Sequence, residues 1–270
     1  MSFVENLGAK LYWDEQGSGE PLLLIMGLSY PSYMWHRTRP VLADHYRTIA
    51  FDNRGIGQSD VPAGPYSIAL MASDAAAVLD AAGVQSAHVF GFSMGGMIAQ
   101  EFAIQYPGRM RSLILCCTAA GGPGAVQAEP AALQTLMRRD LSPEEAKEAI
   151  IPFIYDSGTQ RSSIDEDMAI RMKWYPTPQG YASQLQAIFG WESYSRLSQV
   201  TAPTLVIHGE TDRLIPSANA KLIAERIPGA KLVLIAQASH IFDTDQPGVA
   251  HPAILEFLSA QHSRAHRSPH

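Results

Sequence analysis

Along most of the chain, short runs of Val, Ile and Leu alternate with longer stretches of helical period, the pattern of a mostly parallel β-sheet with helices on both faces. Seven runs read as strands: residues 11–15, 21–26, 46–52, 86–91, 111–117, 204–209 and 231–236. Between them, residues 68–82 place Ile68, Met71, Ala75, Val78, Leu79 and Ala82 near one helical face, and Gly83 follows as a stop signal. Residues 94–106 form a second predicted helix, ended by Pro107 and Gly108, and residues 217–226 and 249–260 form the last two. The alternation stops between about 121 and 200, where helical segments at 130–139, 143–150, 165–173 and 179–191 are separated by Gly, Pro and Ser. The expected organisation is therefore one α/β core in two parts, 1–121 and 200–262, with a helical cap inserted at 122–199 and a disordered tail over 263–270.

The cap holds more apolar and aromatic side chains than so small an insertion can bury internally. Most should pack the cap onto its scaffold. Trp174, Tyr175, Phe189 and Trp191 are the expected contacts to a medium-sized, apolar or aromatic substrate.

Composition narrows the function classes. With 46% hydrophobic and 17% charged positions in 270 residues, the chain has the balance of an ordinary globular protein with one substantial core. Its net charge is -6, and Lys and Arg gather nowhere except thinly over residues 262–270, so no nucleic-acid partner is expected. The apolar runs are of strand length, far short of the roughly 20 residues that span a bilayer, so no membrane segment is expected. Glu5, Lys10, Asp14 and Glu15 interrupt the region where a secretory signal would need an apolar stretch, and a cytoplasmic protein is the reading. The two cysteines, Cys116 and Cys117, are neighbours at a strand end, where a bridge between them would be badly strained. Reduced thiols in a reducing compartment agree with this.

The strongest local signal is Gly91-Phe92-Ser93-Met94-Gly95-Gly96, at the end of one predicted strand and directly before a helix. A serine that projects from so tight a turn is forced into an unfavourable backbone conformation, and small residues two positions either side let strand and helix approach. The turn also puts the serine at a helix N-terminus, where unpaired N–H groups favour a developing oxyanion; Met94 N–H is the expected first donor. A Gly-rich turn of this kind can also serve packing alone, so the partners decide.

A serine hydroxyl needs a base, and the base needs a fixed tautomer. The predicted strand at 204–209 runs into a turn-rich loop that carries Asp212, at the sheet edge where active-site groups of open α/β sheets converge. The strand at 231–236 runs into Ser239-His240. Asp212 is the proposed acid and His240 the proposed base, and the chain order Ser, Asp, His is the one expected for this architecture. Glu210 and Asp243 are rival acids, the first free to face solvent and the second too close to the base in sequence to reach its far nitrogen easily. A metal site is not expected, because the nine histidines show no pair at ligand spacing on a common element.

With these residues in order, the chain resembles the α/β-hydrolase fold family over nearly its whole length. Besides the serine turn and the two loops, the resemblance rests on Ile25-Met26-Gly27-Leu28, on Asp52-Asn53-Arg54-Gly55-Ile56-Gly57-Gln58-Ser59-Asp60, which looks like the family's D-x-R-G-x-G-x-S turn, on Pro203 to Asp212, and on Asp245-Gln246-Pro247. The Asp52 to Asp60 turn lacks the Gly-Lys-Ser/Thr ending of a phosphate loop and reads as structural. The resemblance implies that Leu28 N–H is the second oxyanion donor. Relatives commonly have a histidine in the loop after the third strand; Met26 stands there instead, which alters the packing of the loop but leaves a backbone donor in place.

The implied activity is cofactor-free hydrolysis of a small-molecule carboxylic ester, because the chain looks similar to small carboxylesterases, polyketide methyl esterases and enol-lactone hydrolases. A lactonase is the alternative, since a lactone is an internal ester. Carbon–carbon bond hydrolases and perhydrolases share the constellation, and a binding protein that has lost the chemistry is the reading from another class.

Overall fold

The computed structural model describes residues 2–122, 124–138 and 140–265. Eight strands form one sheet: β1 Ser2–Asn6, β2 Ala9–Gln16, β3 Pro21–Ile25, β4 Arg47–Phe51, β5 Ala87–Phe92, β6 Met110–Cys116, β7 Thr204–Gly209 and β8 Lys231–Ile235. Their order across the sheet is β1-β2-β4-β3-β5-β6-β7-β8. The pairings of β1 with β2 and of β2 with β4 are antiparallel, and the rest are parallel. The helices are α1 Thr38–Ala43, α2 Ile68–Ala81, α3 Met94–Gln105, α4 Pro130–Met137, α5 Pro143–Ile154, α6 Arg161–Lys173, α7 Pro178–Phe189, α8 Ala218–Arg226, α9 Phe242–Asp245 and α10 Pro247–Ala265.

The central strands are mostly apolar because both faces are covered. Leu23, Ile25, Phe51, Val89, Leu115 and Val206 point to one side, where α2, α3 and α8 pack. Leu22, Leu24, Phe90, Ile114, Leu205 and Ile207 point to the other, against Trp35, α1 and α10. All seven predicted strands are present. Not among the predicted elements are β1, an edge strand whose side chains are mostly exposed and so carry no apolar run, and the short α1 and α9. The final helix reaches Ala265, so residues 263–265 of the expected tail are helical, and residues 266–270 lie outside the described residues. No helix among the described residues is long and apolar enough to cross a membrane.

Helices α4 to α7 all fall between β6 and β7, as the break in alternation predicts, although α6 starts at Arg161 and α5 runs on to Ile154. Residue 139, in the predicted segment 130–139, lies outside the described residues. The insertion closes at its stem, where Gly121 bridges to Glu192 and Ser193 N–H donates to Ala120 O at 2.7 Å. Two polar side chains clamp the cap to the core. Asp167 of α6, wholly buried, accepts from Arg37 Nε (2.8 Å), Tyr155 OH (3.0 Å) and Thr244 Oγ1 (2.7 Å). Burial alone would raise its pKa, but these donors and the neighbouring His36 hold it below the ordinary carboxylate range. Gln184 of α7 accepts from Ser29 N–H at 2.9 Å and donates to Arg54 O at 2.8 Å, which ties the cap to the loops after β3 and β4.

The Asp52 to Asp60 turn is held from within. Asp52 accepts from Ser32 N–H (2.6 Å) and Gln58 N–H (2.8 Å), and Asn53 Nδ2 donates to Met26 O (2.8 Å). Arg54 forms a two-pronged pair with Asp74 of α2, both contacts 2.6 Å, and Asn6 Nδ2 adds a third donor to Asp74 at 2.8 Å. This pair is buried on both sides and fastens β1, the turn and α2 together. Asp74→Ala leaves the Arg54 guanidinium without its partner, and the expected cost is about 3–5 kcal/mol in urea-unfolding free energy. A loss under about 1 kcal/mol would contradict the anchoring role of the pair.

Candidate active site

The serine turn follows from the close approach of β5 and α3. Ser93 has φ 58° and ψ −120°, a combination that L-residues rarely adopt. Its backbone is pinned on both sides: its N–H donates to Cys116 O (2.8 Å), while its carbonyl accepts from Gly96 N–H (2.9 Å) and Thr118 Oγ1 (2.7 Å). A Cβ on Gly91 would collide with the Gly95 carbonyl, and one on Gly95 with the Ile25 carbonyl. The two glycines therefore remove side chains that would push the strand, the helix and β3 apart. Gly27 is tight for another reason: a Cβ there would lie 2.9 Å from Ser93 Cβ, in the space beside the hydroxyl.

The three residues expected to act together meet at the carboxyl end of the sheet. His240 Nε2 is 3.1 Å from Ser93 Oγ, and His240 Nδ1 is 2.8 Å from Asp212 Oδ2. The ring of His240 also meets the edge of Phe92, centroids 5.2 Å apart, which limits its rotation. Asp212 Oδ1 accepts from Leu214 N–H (2.9 Å) and Ile215 N–H (2.8 Å), so the loop after β7 fixes the carboxylate before the histidine arrives. Burial pushes the Asp212 pKa up, but the charge of His240 and hydrogen bonds from His208 and His240 outweigh it and bring it to about 2. Of the rival acids, Asp243 accepts from Thr38 Oγ1 at 2.7 Å, and Glu210 is exposed.

Two residues that the sequence reading passed over complete this line. His208, the penultimate residue of β7, is fully buried, with Nε2 3.1 Å from Asp212 Oδ2 and 2.7 Å from Ile215 O. A donor on Nε2 serves both acceptors and supports the same carboxylate oxygen that faces His240. Asp245 accepts from Ser239 N–H (2.7 Å), Asp156 N–H (3.2 Å) and Thr159 Oγ1 (2.5 Å), and thereby ties the loop that carries His240 to the cap. Burial raises its pKa to about 6 despite these donors.

Above Ser93 lies a cavity of about 560 Å³ between core and cap. Leu28 and Met94 line it beside Ser93 and His240, and among the described residues no acceptor engages the N–H group of either. Phe189 and Trp191 also line it, with the Trp191 indole N–H donating to Glu101 at 2.7 Å. Trp174 and Tyr175 do not. Trp174 stacks on Tyr33, ring centroids 5.9 Å apart and planes 7° from parallel, and Tyr175 is exposed beside it in sequence. Both follow the C-terminal end of α6, whose Arg171 lines the cavity while these two side chains lie outside it. The remaining apolar wall includes residues not singled out in the sequence, among them Met97, Leu185, Ile188 and Ile215.

Cys116 and Cys117 are free thiols and buried. Cys117 Sγ, an Asp212 carboxylate oxygen and a His240 nitrogen lie within 4.8 Å of one another, the grouping of potential metal ligands among the described residues. The histidine and aspartate atoms there already hydrogen-bond each other and Ser93, so a cation would have to break that line.

Comparison with known proteins gives the family to which this fold belongs. A protein of Azorhizobium caulinodans that carries the provisional name carbamate hydrolase is 31% identical over 260 residues, 95% of this chain and 98% of that one. The 3-oxoadipate enol-lactonase 2 of Acinetobacter baylyi is 32% identical over 225 residues, 82% of each chain. Among solved structures, the malate-bound thermophilic esterase of Thermogutta terrifontis superposes with a TM-score of 0.84 at 29% identity, covering 97% of this chain and 98% of its own. The model of the alpha/beta hydrolase fold matches residues 20–243, and the chain belongs to that family of hydrolases.

Proposed function

We propose that the chain is a serine carboxylic ester hydrolase that works through an acyl-enzyme on Ser93. The observation that carries this reading is the position of one imidazole, with Nε2 3.1 Å from the Ser93 hydroxyl and Nδ1 2.8 Å from the Asp212 carboxylate. Nδ1–H bonded to Asp212 leaves Nε2 with its lone pair toward Ser93, the tautomer that a general base needs. Ser93 Oγ attacks the ester carbonyl carbon while its proton passes to His240 Nε2. The oxyanion forms beside Met94 N–H, at the start of α3, and Leu28 N–H. His240 then gives its proton to the departing alkoxide. Water then attacks the acyl carbon and gives a proton to the same nitrogen; the bond from Ser93 Oγ to the acyl group breaks, Ser93 Oγ takes that proton back, and the acid leaves. Asp212 stays ionised throughout, since its pKa lies near 2.

Lactone hydrolysis is the second reading, favoured by the enol-lactonase relative; it uses the same atoms, with the alcohol retained in the product. Free, buried Cys116 and Cys117 fit a reducing compartment such as the cytoplasm.

Ser93→Ala is expected to lower the rate on p-nitrophenyl butyrate at least about 1000-fold with the fold intact by circular dichroism. Equal turnover by variant and parent would remove Ser93 from the mechanism. Asp212→Asn should fall about as steeply, because an amide can hold the imidazole in the wrong tautomer; a change under about 3-fold would assign the acid to another group.

A second consequence of the depressed Asp212 pKa concerns stability. The folded-state pKa, about 2, lies below the ordinary value of 3.8, so the carboxylate stabilises the fold fully above that value and loses its contribution as the pH falls toward 2. The difference in unfolding free energy between parent and Asp212→Asn is therefore expected to shrink between pH 5 and pH 2. Denaturant titrations that show a constant difference over that range would contradict the assigned charge state.

A further inference from the structure

One charged side chain in the cavity is left without a task by the hydrolytic reading. Arg171, near the end of α6, lines the cavity with Ser93 and His240 and is only 8% exposed. Its Nε and Nη1 are buried and have no hydrogen-bond partner. The guanidinium lies over the Tyr30 ring, 4.9 Å from the centroid, a contact that occupies one flat face and leaves the N–H edge unsatisfied.

The other buried arginines show what is missing. Arg54 is paired with Asp74 and Arg39 with Asp14. The acid one helical turn before Arg171 is Asp167, whose oxygens are taken by Arg37, Tyr155 and Thr244. Among the described residues, Arg171 has no ion-pair partner. A buried guanidinium in that condition is costly to the fold, and its persistence in the substrate cavity calls for an anion that arrives from outside.

We infer that Arg171 receives a carboxylate of the substrate, which is thereby an ester or lactone with an apolar body and an anionic end. The inference rests on the hydrolytic reading of Ser93 and names its substrate class. The planar fork of an arginine matches the two oxygens of a carboxylate, and Tyr30 stacked beneath it holds the plane of the fork. Leu185, Ile188 and Ile154 supply apolar wall for the chain between the two ends. With little water in such surroundings, the charge pair counts for more than it would on the surface. Binding energy gathered at Arg171, away from the reacting carbonyl, would position that carbonyl over Ser93.

The test compares two activated esters of equal length, p-nitrophenyl octanoate and mono-p-nitrophenyl suberate, the second ending in a carboxylate. The parent is expected to favour the charged ester in kcat/KM by about 10-fold or more. Arg171→Gln should lower that ratio about 10- to 100-fold, and Arg171→Lys, which keeps the charge and loses the fork, should fall between. No preference in the parent, or an equal loss on both esters in Arg171→Gln, overturns the inference. A binding arm is independent of turnover: Ser93→Ala titrated calorimetrically with monomethyl suberate should lose affinity about 10-fold or more when Arg171→Gln is added. Unchanged affinity overturns the carboxylate site whatever the chemistry. If the parent cleaves neither ester, the ester reading falls and the binding arm alone decides the role of Arg171. Arg171→Gln should also melt close to the parent, since it loses the stack on Tyr30 but no hydrogen-bond or ion-pair partner; a markedly lower Tm would make Arg171 a structural anchor of the cap and overturn the inference.

Discussion

The site depends on holding one serine in a backbone conformation that side-chain-bearing residues avoid. With φ at 58° and ψ at −120°, Ser93 stores strain on the order of 1–3 kcal/mol, which the surrounding structure must offset. Four hydrogen bonds to its own N–H and C=O do part of this, and the absence of side chains at Gly91 and Gly95 does the rest by letting β5, β3 and α3 close in. What the strain produces is position: the hydroxyl stands clear of the sheet, within reach of His240 and beside the first N–H groups of α3.

Asp212 and His240 reach that hydroxyl through a different device. Each stands on a loop that leaves the carboxyl end of a parallel strand, and each loop is fixed by backbone donors before any substrate arrives. Leu214 and Ile215 N–H hold Asp212, and Asp245 holds Ser239 N–H next to His240. Because Asp245 also accepts from Asp156 and Thr159, the cap and the catalytic loop are fastened by the same carboxylate. The position of the cap is thus linked to that of His240, and Asp167 and Gln184 add two further ties between cap and core.

Much of this was legible in the sequence because the relevant signals are local. Parallel strands buried on both faces read as apolar runs, and a Gly-x-Ser-x-Gly turn between a strand and a helix needs no distant information. Chain order and loop position alone named Ser93, Asp212 and His240 as candidates, and the fold brings the three side chains together. The edge strand β1 was not legible, because its exposed side chains follow no apolar alternation. Cap residues failed for a related reason: aromatic character does not say which way a residue at the end of a helix points, so Phe189 and Trp191 face the cavity while Trp174 stacks on Tyr33 outside it. Arg171 and His208 gave no signal either. An arginine among the polar residues of α6 reads as a solvated face, and a histidine inside an apolar strand reads as core, until the fold shows that the first has no partner and that the second supports Asp212.

The central claim is that Ser93 carries the acyl group between the two halves of the reaction, and the direct measurement is the intact mass of the protein after rapid acid quenching during turnover of a slow p-nitrophenyl ester. The account predicts a species heavier by one acyl group, mapped by peptide digestion to Ser93 and chased away on standing. Turnover with no covalent species at any quench time, or an acyl group that maps to another residue, would contradict it.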